Sequence, residues 1–149
     1  MRKWNISSLF FLSFILLLLN NDYLLAYTKP DRTLTPGSLC ESSSADFIGH
    51  FYKAEIAKCK RNVSSQKKSE VAEKYDIPRS EWNNYEFDHY IPLNAGGSND
   101  ISNIWPQPLD EAKEKNVVEL KVYNGLQGGT MNQEEAVNEI ENWFFPSQE

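Results

Sequence analysis

Residues 85–108 read YEFDHYIPLNAGGSNDISNIWPQP, and this stretch decides the fold. Aromatic and β-branched residues as far as Ile91 favour a β-strand, and Pro92 ends regular strand pairing. The pair Gly96-Gly97, followed by small polar residues, is typical of a turn. The stretch therefore predicts a β-hairpin.

Asp88 and His89 lie next to each other in the first predicted strand of this hairpin. Because successive strand residues face opposite sides, we expect the two side chains to do two different jobs. A carboxylate is a hard oxygen ligand suited to Mg²⁺, and an imidazole can take a proton from water at neutral pH. The other histidine, His50, has no such neighbours and is interpreted as structural.

Two helices are predicted before the hairpin. Apolar residues recur at helical spacing from Asp46 to about Lys60 and indicate the first helix. Ser64-Ser65 is typical of a cap for a second helix, which must end before Pro78.

Two more helices are predicted after the hairpin. The first runs from Asp110 to Tyr123, with Val117, Val118 and Leu120 facing inward, until Gly125 breaks it. Asn132 and Glu135 form a predicted capping box for the second. Its apolar stripe consists of Ala136, Val137, Ile140, Trp143 and Phe144, and Trp105 is expected to join the same core.

The N-terminus has the composition of a secretory signal peptide. A basic start, an apolar run over 9–19 and the small residue Ala26 predict cleavage after residue 26 of the 149, although an uncleaved membrane anchor stays open. Residues 27–45 are then an extended arm. In the oxidising compartment that export implies, Cys40 and Cys59 are expected to form a disulfide, with a pair of buried thiols as the alternative.

The net charge is distributed unevenly. The whole chain carries −6, yet residues 53–79 hold eight Lys+Arg against four Asp+Glu, whereas residues 100–149 hold three Lys against ten Asp+Glu. The overall acidity argues against nonspecific coating of nucleic acid, which needs many contacts between cations and phosphates. A nuclease with a local basic surface remains compatible with this composition.

The chain resembles the HNH endonuclease family. The resemblance rests on FDH at 87–89, IPL at 91–93, GGSN at 96–99, NIWPQP at 103–108, and AKEKN at 112–116 with Glu119. Within the family, it is most similar to a small exported bacterial branch. The resemblance implies an α+β fold in which a ββα-metal finger, a β-hairpin with a helix at about 85–123, is flanked by additional helices. The nuclease domain would then span 46–149.

Family roles transfer by position. His89 corresponds to the general base that activates water, Asp88 to a metal ligand, and Asn103 to the residue that holds the finger loop and helps to orient the histidine. No histidine follows His89, so Asn116 is the predicted third-position ligand, with Glu119 as its rival. Oxygen ligands favour one Mg²⁺ or Mn²⁺ ion over Zn²⁺.

The resemblance implies a secreted or periplasmic endonuclease that cleaves DNA, with RNA as an open second substrate. The predicted phosphate contacts are Lys60, Arg61, Lys67, Lys113 and Lys115, and such contacts imply little sequence specificity. A monomer is favoured, without stable membrane association after cleavage of the signal. The alternative is a non-catalytic secreted module that binds nucleic acid or a partner and keeps the finger for structure.

Overall fold

The structure is a computed structural model that describes residues 29–147. The predicted signal peptide lies outside the described residues. The described part is α+β, as predicted, and contains two antiparallel two-stranded sheets and three α-helices. No helix within residues 29–147 is both long and apolar enough to cross a membrane.

The predicted helix at 46–60 is wrong, because this segment is a β-hairpin. Strand β1, Phe47–Phe51, pairs with β2, Ile56–Cys59. Tyr52 and Glu55 in the connecting turn both have positive φ, which a helix does not permit. The β-branched and aromatic residues that suggested a helical stripe also suit strands.

The predicted hairpin at 85–108 is confirmed. Strand β3, Tyr85–His89, pairs with β4, Ile104–Pro108, so that Asp88 lies opposite Trp105 and His89 opposite Ile104. Residues 90–103 connect the strands and include the short 3₁₀ helix Leu93–Ala95. Trp105 is fully buried, as expected.

Helix α1, Ser65–Lys74, begins after Ser64, whose side chain accepts a hydrogen bond from the Lys67 backbone N–H. This confirms the predicted cap. A 3₁₀ helix, Arg79–Asn84, follows and leads into β3. The structure thus places a helical segment on the chain immediately before the strand that carries Asp88 and His89.

Helix α2, Ala112–Gly128, differs from its prediction in length and in orientation. It continues through Gly125 and ends at Gly129, which adopts the left-handed conformation. Val118 is buried as expected, but Val117 is 71% exposed and Leu120 is 58% exposed. The inward face instead carries Lys115, Val118, Val122 and Leu126.

Helix α3, Gln133–Phe144, closes the core. Its capping box between Asn132 and Glu135 is present. Ala136, Ile140 and Phe144 are buried, and the Phe144 ring lies 5.5 Å from those of both Tyr90 and Trp105. The hairpin that carries Asp88 and His89 is therefore held against α3 by aromatic contacts.

The described part of the arm, residues 29–45, has no named helix or strand and is tied to the fold at several points. Cys40 forms a disulfide with Cys59, which confirms the predicted pair. Leu39 makes an isolated β-bridge with Gly97. The Gly37 N–H donates to the Ser102 carbonyl at 2.9 Å, so the arm packs on the loop between β3 and β4.

Candidate active site

Asp88 and His89 lie at the end of β3 and line the same cleft. The cleft has a volume of about 150 Å³, and Arg61, Asn94 and Glu119 are also in its wall. Although the residues are neighbours on a strand, Asp88 Oδ1 is only 3.8 Å from His89 Nδ1. The side chain of Asp88 is 18% exposed and that of His89 only 2%.

Arg61 brings these two side chains together. Its Nη1 lies 3.1 Å from Asp88 Oδ1 and 3.2 Å from His89 Nδ1, while Nη2 donates to the Phe87 carbonyl at 3.0 Å. Since a guanidinium has no acceptor, His89 Nδ1 must accept the hydrogen bond from Arg61. The side chain of Arg61 is 46% exposed and is thus accessible to a phosphate.

Asn99 fixes the other side of the imidazole ring. Its Nδ2 donates to Asp46 Oδ2 at 3.1 Å and to the Lys60 carbonyl at 2.8 Å, so its Oδ1 faces the Asn62 N–H at 2.9 Å and His89 Nε2 at 3.1 Å. An amide oxygen can only accept, so Nε2 carries the ring proton. Nδ1 is therefore the unprotonated nitrogen, and its lone pair faces the cleft, where it accepts from Arg61.

Asn103 holds the loop between β3 and β4. Its Oδ1 accepts from the Ile91 N–H at 2.9 Å, and its Nδ2 donates to the carbonyls of Ile91 at 3.0 Å and Ser98 at 2.9 Å. Gly97 lies inside this loop, where a Cβ would overlap the Ile91 carbonyl oxygen. Asn103 supports the loop, while the direct contact with the histidine ring comes from Asn99, which sequence reasoning missed.

Lys115 occupies a buried position behind the cleft. Its Nζ lies 2.5 Å from Asp88 Oδ2, 2.6 Å from the His89 carbonyl oxygen and 2.6 Å from Glu119 Oε1. The side chain is 1% exposed. The sequence predicts Lys115 as a phosphate contact, whereas the structure assigns its ammonium group to internal carboxylates.

The two rivals for the third position of the motif lie three residues apart on α2 and differ in their exposure. Glu119 lines the cleft with Asp88 and His89, one helical turn after Lys115. Asn116 is exposed to solvent and is not among the residues that line the cleft. The structure therefore brings Asp88 and Glu119 together and leaves Asn116 outside.

Asp88 is held in its ionised form. Burial alone would raise its pKa, but the ammonium of Lys115 and the guanidinium of Arg61 together lower this pKa well below its ordinary value. The carboxylate is consequently charged throughout the neutral range and is available as an oxygen ligand.

The remaining basic residues of the prediction are dispersed. Lys60 and Lys113 are exposed, while Lys67 Nζ donates to the Asn99 carbonyl at 2.8 Å, behind the histidine. Three residues that were not predicted, Lys68, Arg79 and Trp82, line a larger groove that shares Arg61 with the cleft. Two of these residues, Lys68 and Arg79, belong to the basic stretch 53–79, and this is the sequence feature that indicates a role for them.

The donor atoms around Lys115 Nζ are chemically suited to a hard cation. Two carboxylate oxygens and a carbonyl oxygen surround one positive charge, and Mg²⁺ in proteins is held by one or two carboxylates together with water and substrate phosphate. Residues 29–147 contain no cluster of three His, Cys, Asp or Glu side chains that would hold a metal on their own. Asp88 and Glu119 are the pair that fits.

No protein-family model, no curated protein and no solved structure matches the chain.

Proposed function

We propose that the chain is an exported, divalent-metal-dependent endonuclease of the HNH kind that hydrolyses phosphodiester bonds in DNA, with RNA as a second substrate to be tested. The observation that carries this proposal is the hydrogen bonding of His89. Its Nε2 is held by Asn99 Oδ1, so its Nδ1 is left as a proton acceptor in a cleft beside Asp88 and Arg61. A buried base with one defined tautomer is what general-base catalysis requires.

The proposed reaction begins when a phosphodiester enters the cleft and attracts the guanidinium of Arg61. Arg61 then releases His89 Nδ1, which takes a proton from the water that attacks phosphorus. Charge develops on the phosphoryl oxygens and on the leaving 3′ oxygen, and nearby cations stabilise it. Arg61 is suited to this task because a guanidinium binds phosphate through two hydrogen bonds.

Asp88 and Glu119 are the residues that would hold Mg²⁺ or Mn²⁺. When bound, such an ion supplies Lewis-acid stabilisation of the developing negative charge. Lys115 lies between the two carboxylates and competes for them. Asn116, the ligand predicted from the sequence, is not part of this pair because it is exposed and does not line the cleft.

The proposed export is supported by the disulfide between Cys40 and Cys59, which is typical of proteins outside the reducing cytosol. The basic residues near the cleft would contact the phosphate backbone and thus give little sequence specificity.

A second candidate, a non-catalytic nucleic-acid-binding module, is favoured by one observation. Lys115 pairs with both carboxylates and Arg61 adds a second positive charge beside Asp88, so the two carboxylates are balanced without an added ion. In this alternative the cleft binds phosphate through Arg61 and no bond is cleaved.

The deciding experiment incubates the full chain with plasmid DNA and Mg²⁺, with and without EDTA, beside His89→Ala and His50→Ala. His50 is a matched control because it is the only other histidine and lies on β1 with an exposed hydrogen bond to Ser42. We expect cleavage by the wild type and by His50→Ala, and a loss of at least about 100-fold for His89→Ala. Equal cleavage by both variants, or no cleavage with Mg²⁺ or Mn²⁺, would contradict the proposal.

A further inference from the structure

A groove of about 630 Å³ lies next to the catalytic cleft and shares Arg61 with it. Its lining includes Lys68 of α1, Arg79 and Trp82 of the 3₁₀ helix, and Phe87 of β3. The nuclease mechanism proposed above uses none of these four residues. The volume is within the usual range for a site that takes a small organic ligand.

The wall of the groove contains two neighbouring aromatic rings, and a cationic side chain lies over each of them. The Trp82 and Phe87 rings lie 4.9 Å apart, and the guanidinium carbon of Arg79 is 3.8 Å from the centre of the Trp82 ring. Lys68 Nζ is 6.0 Å from the centre of the Phe87 ring. Arg79 is exposed, so the side of its guanidinium away from Trp82 can receive a planar ligand.

The charge of the groove favours an anion. Arg61, Lys68 and Arg79 contribute three positive charges, and Glu86 is the one carboxylate among the lining residues. Glu86 Oε1 is 4.0 Å from Arg61 Nη2, and both side chains are about half exposed, so this pair is weak. A net positive charge beside stackable planes suits a nucleotide, which carries a phosphate and a flat base.

We infer that this groove binds an unpaired nucleotide of the strand whose scissile phosphate lies in the cleft. The base stacks on Arg79, which Trp82 supports from behind, while Lys68 and Arg61 contact the phosphates on either side. This inference rests on the proposed nuclease function and deepens it, because it makes single-stranded nucleic acid, or a locally opened duplex, the preferred substrate.

The preference for an unpaired base follows from geometry. In a duplex both faces of each base are covered by neighbouring bases, and proteins reach only the base edges in the grooves. In a single strand the faces are free, and stacking on aromatic rings or on Arg planes contributes binding that tolerates any sequence. Groove binding and the expected lack of sequence specificity are therefore compatible.

The test measures binding of fluorescein-labelled oligonucleotides to the full chain in EDTA, so that cleavage does not interfere. A single strand of about 12 nucleotides is compared with the duplex of the same sequence. Both probes are tested with the wild type, Arg79→Ala, Arg79→Lys and Arg32→Ala. Arg32 is the matched control, since it is an exposed arginine 5.1 Å from the centre of the Phe145 ring and does not line the groove.

We expect Arg79→Ala and Arg79→Lys each to weaken single-strand binding by at least about fivefold, the lower end of the effect of losing one stacked base. Duplex binding should change by less than about twofold in these variants, and Arg32→Ala should match the wild type with both probes. Full retention of single-strand binding by Arg79→Lys would show that position 79 supplies charge alone, and the inference would be wrong. Equal losses for the two probes would overturn it as well.

This experiment separates the two proposals because no catalysis occurs in it. If neither the plasmid nor single-stranded DNA is cleaved while Arg79→Lys loses single-strand binding, the groove binds single strands as inferred and the nuclease proposal fails. If cleavage depends on His89 while Arg79→Lys binds normally, the nuclease proposal stands and the groove assignment fails.

Discussion

Asn99 and His89 show how a single buried amide can choose between the two nitrogens of an imidazole ring. The amide of Asn99 is oriented by acceptors on both sides, Asp46 and the Lys60 carbonyl, so its oxygen must face the ring. The residue is 4% exposed. The sequence places it after a turn and within the GGSN motif at 96–99, but gives it no role of its own. Its partners come from three separate segments of the chain, which is why sequence reasoning could propose His89 and Asn103 but could not find Asn99.

Asn99→Ala should lower the rate of cleavage by about 10- to 100-fold while the protein stays folded, because the ring loses the acceptor that selects its tautomer. The direct measurement is the ¹⁵N chemical shift of the two ring nitrogens of His89. The wild type should show a protonated Nε2, and the variant a mixture of tautomers.

Asn124 is exposed on α2, and Asn124→Ala serves as the control. It should change neither the rate of cleavage nor the ¹⁵N chemical shifts of His89. If Asn99→Ala keeps a single protonated Nε2, Asn99 does not select the tautomer.

Asp88 should make stability depend on pH in the acid range. Burial opposes ionisation, but Lys115 and Arg61 lower the pKa of Asp88 in the folded state, so the carboxylate stabilises the folded state fully above the pKa of an unfolded aspartate, about 3.9. This contribution is lost as the pH falls below that value towards the folded-state pKa. Urea unfolding of the wild type and Asp88→Asn between pH 7 and pH 2 measures it.

The difference in the free energy of unfolding between the two proteins should be constant from about pH 5 to 7 and should shrink below about pH 4. The plateau at neutral pH is the internal control for other effects of the substitution. A difference that does not change down to pH 2 would mean that the carboxylate is not stabilised in the folded state.

At the scale of elements, predictions were correct where short-range signals decide and wrong where partners from elsewhere decide. The caps at Ser64 and Asn132 depend on residues within one turn, and both are confirmed. Helix α2 was assigned the wrong inward face because its buried face includes Lys115. No local pattern places a lysine inside; its charge is balanced by Asp88, which lies on another element.

The hairpin of β1 and β2 illustrates the same limit. Apolar residues over 46–60 recur at a spacing that suits a helix, but Ile48 and Phe51 are exposed in the structure, so this spacing did not report burial. Ile56 and Cys59 are buried, and Cys59 is anchored by its disulfide to the arm. The helix that the periodicity predicts therefore does not form. The disulfide to Cys40 and the turn in which Tyr52 and Glu55 have positive φ fit a hairpin instead.

The difference in position between Glu119, which lines the cleft, and Asn116, which does not, yields a prediction for the third position of the motif. Glu119→Gln should raise the Mg²⁺ concentration for half-maximal cleavage by at least about tenfold and should weaken the rise in melting temperature on addition of Mg²⁺. Asn116→Ala is the matched control on the same helix and should change neither quantity, because its side chain is exposed outside the cleft. If Asn116→Ala changed both quantities and Glu119→Gln changed neither, Asn116 would be the ligand and Glu119 would not.

At the scale of the whole molecule, the disulfide joins the arm to the hairpin of β1 and β2. Cys59 is the last residue of this hairpin, and Lys60 and Arg61 follow it directly. Cys40 and Cys59 are 19 residues apart, and removal of a bridge of this span costs about 3 kcal/mol. The Cys40→Ser/Cys59→Ser double variant should therefore lose about that much free energy of unfolding in urea.

Dithiothreitol acts as the control for this variant. It should lower the stability of the wild type to that of the double variant and leave the variant itself unchanged. An unchanged stability of the reduced wild type would show that the bridge does not stabilise the fold.

The buried ammonium of Lys115 also affects how the protein can be prepared and loaded. Because this group pairs with both Asp88 and Glu119, a side chain of the protein itself holds the two carboxylates close together in the folded structure. Extraction with a chelator should then leave a fully folded and soluble protein, unlike small zinc domains that unfold when their metal is removed. In the proposed nuclease, a divalent ion held by Asp88 and Glu119 would take the place of the Lys115 ammonium group between these carboxylates.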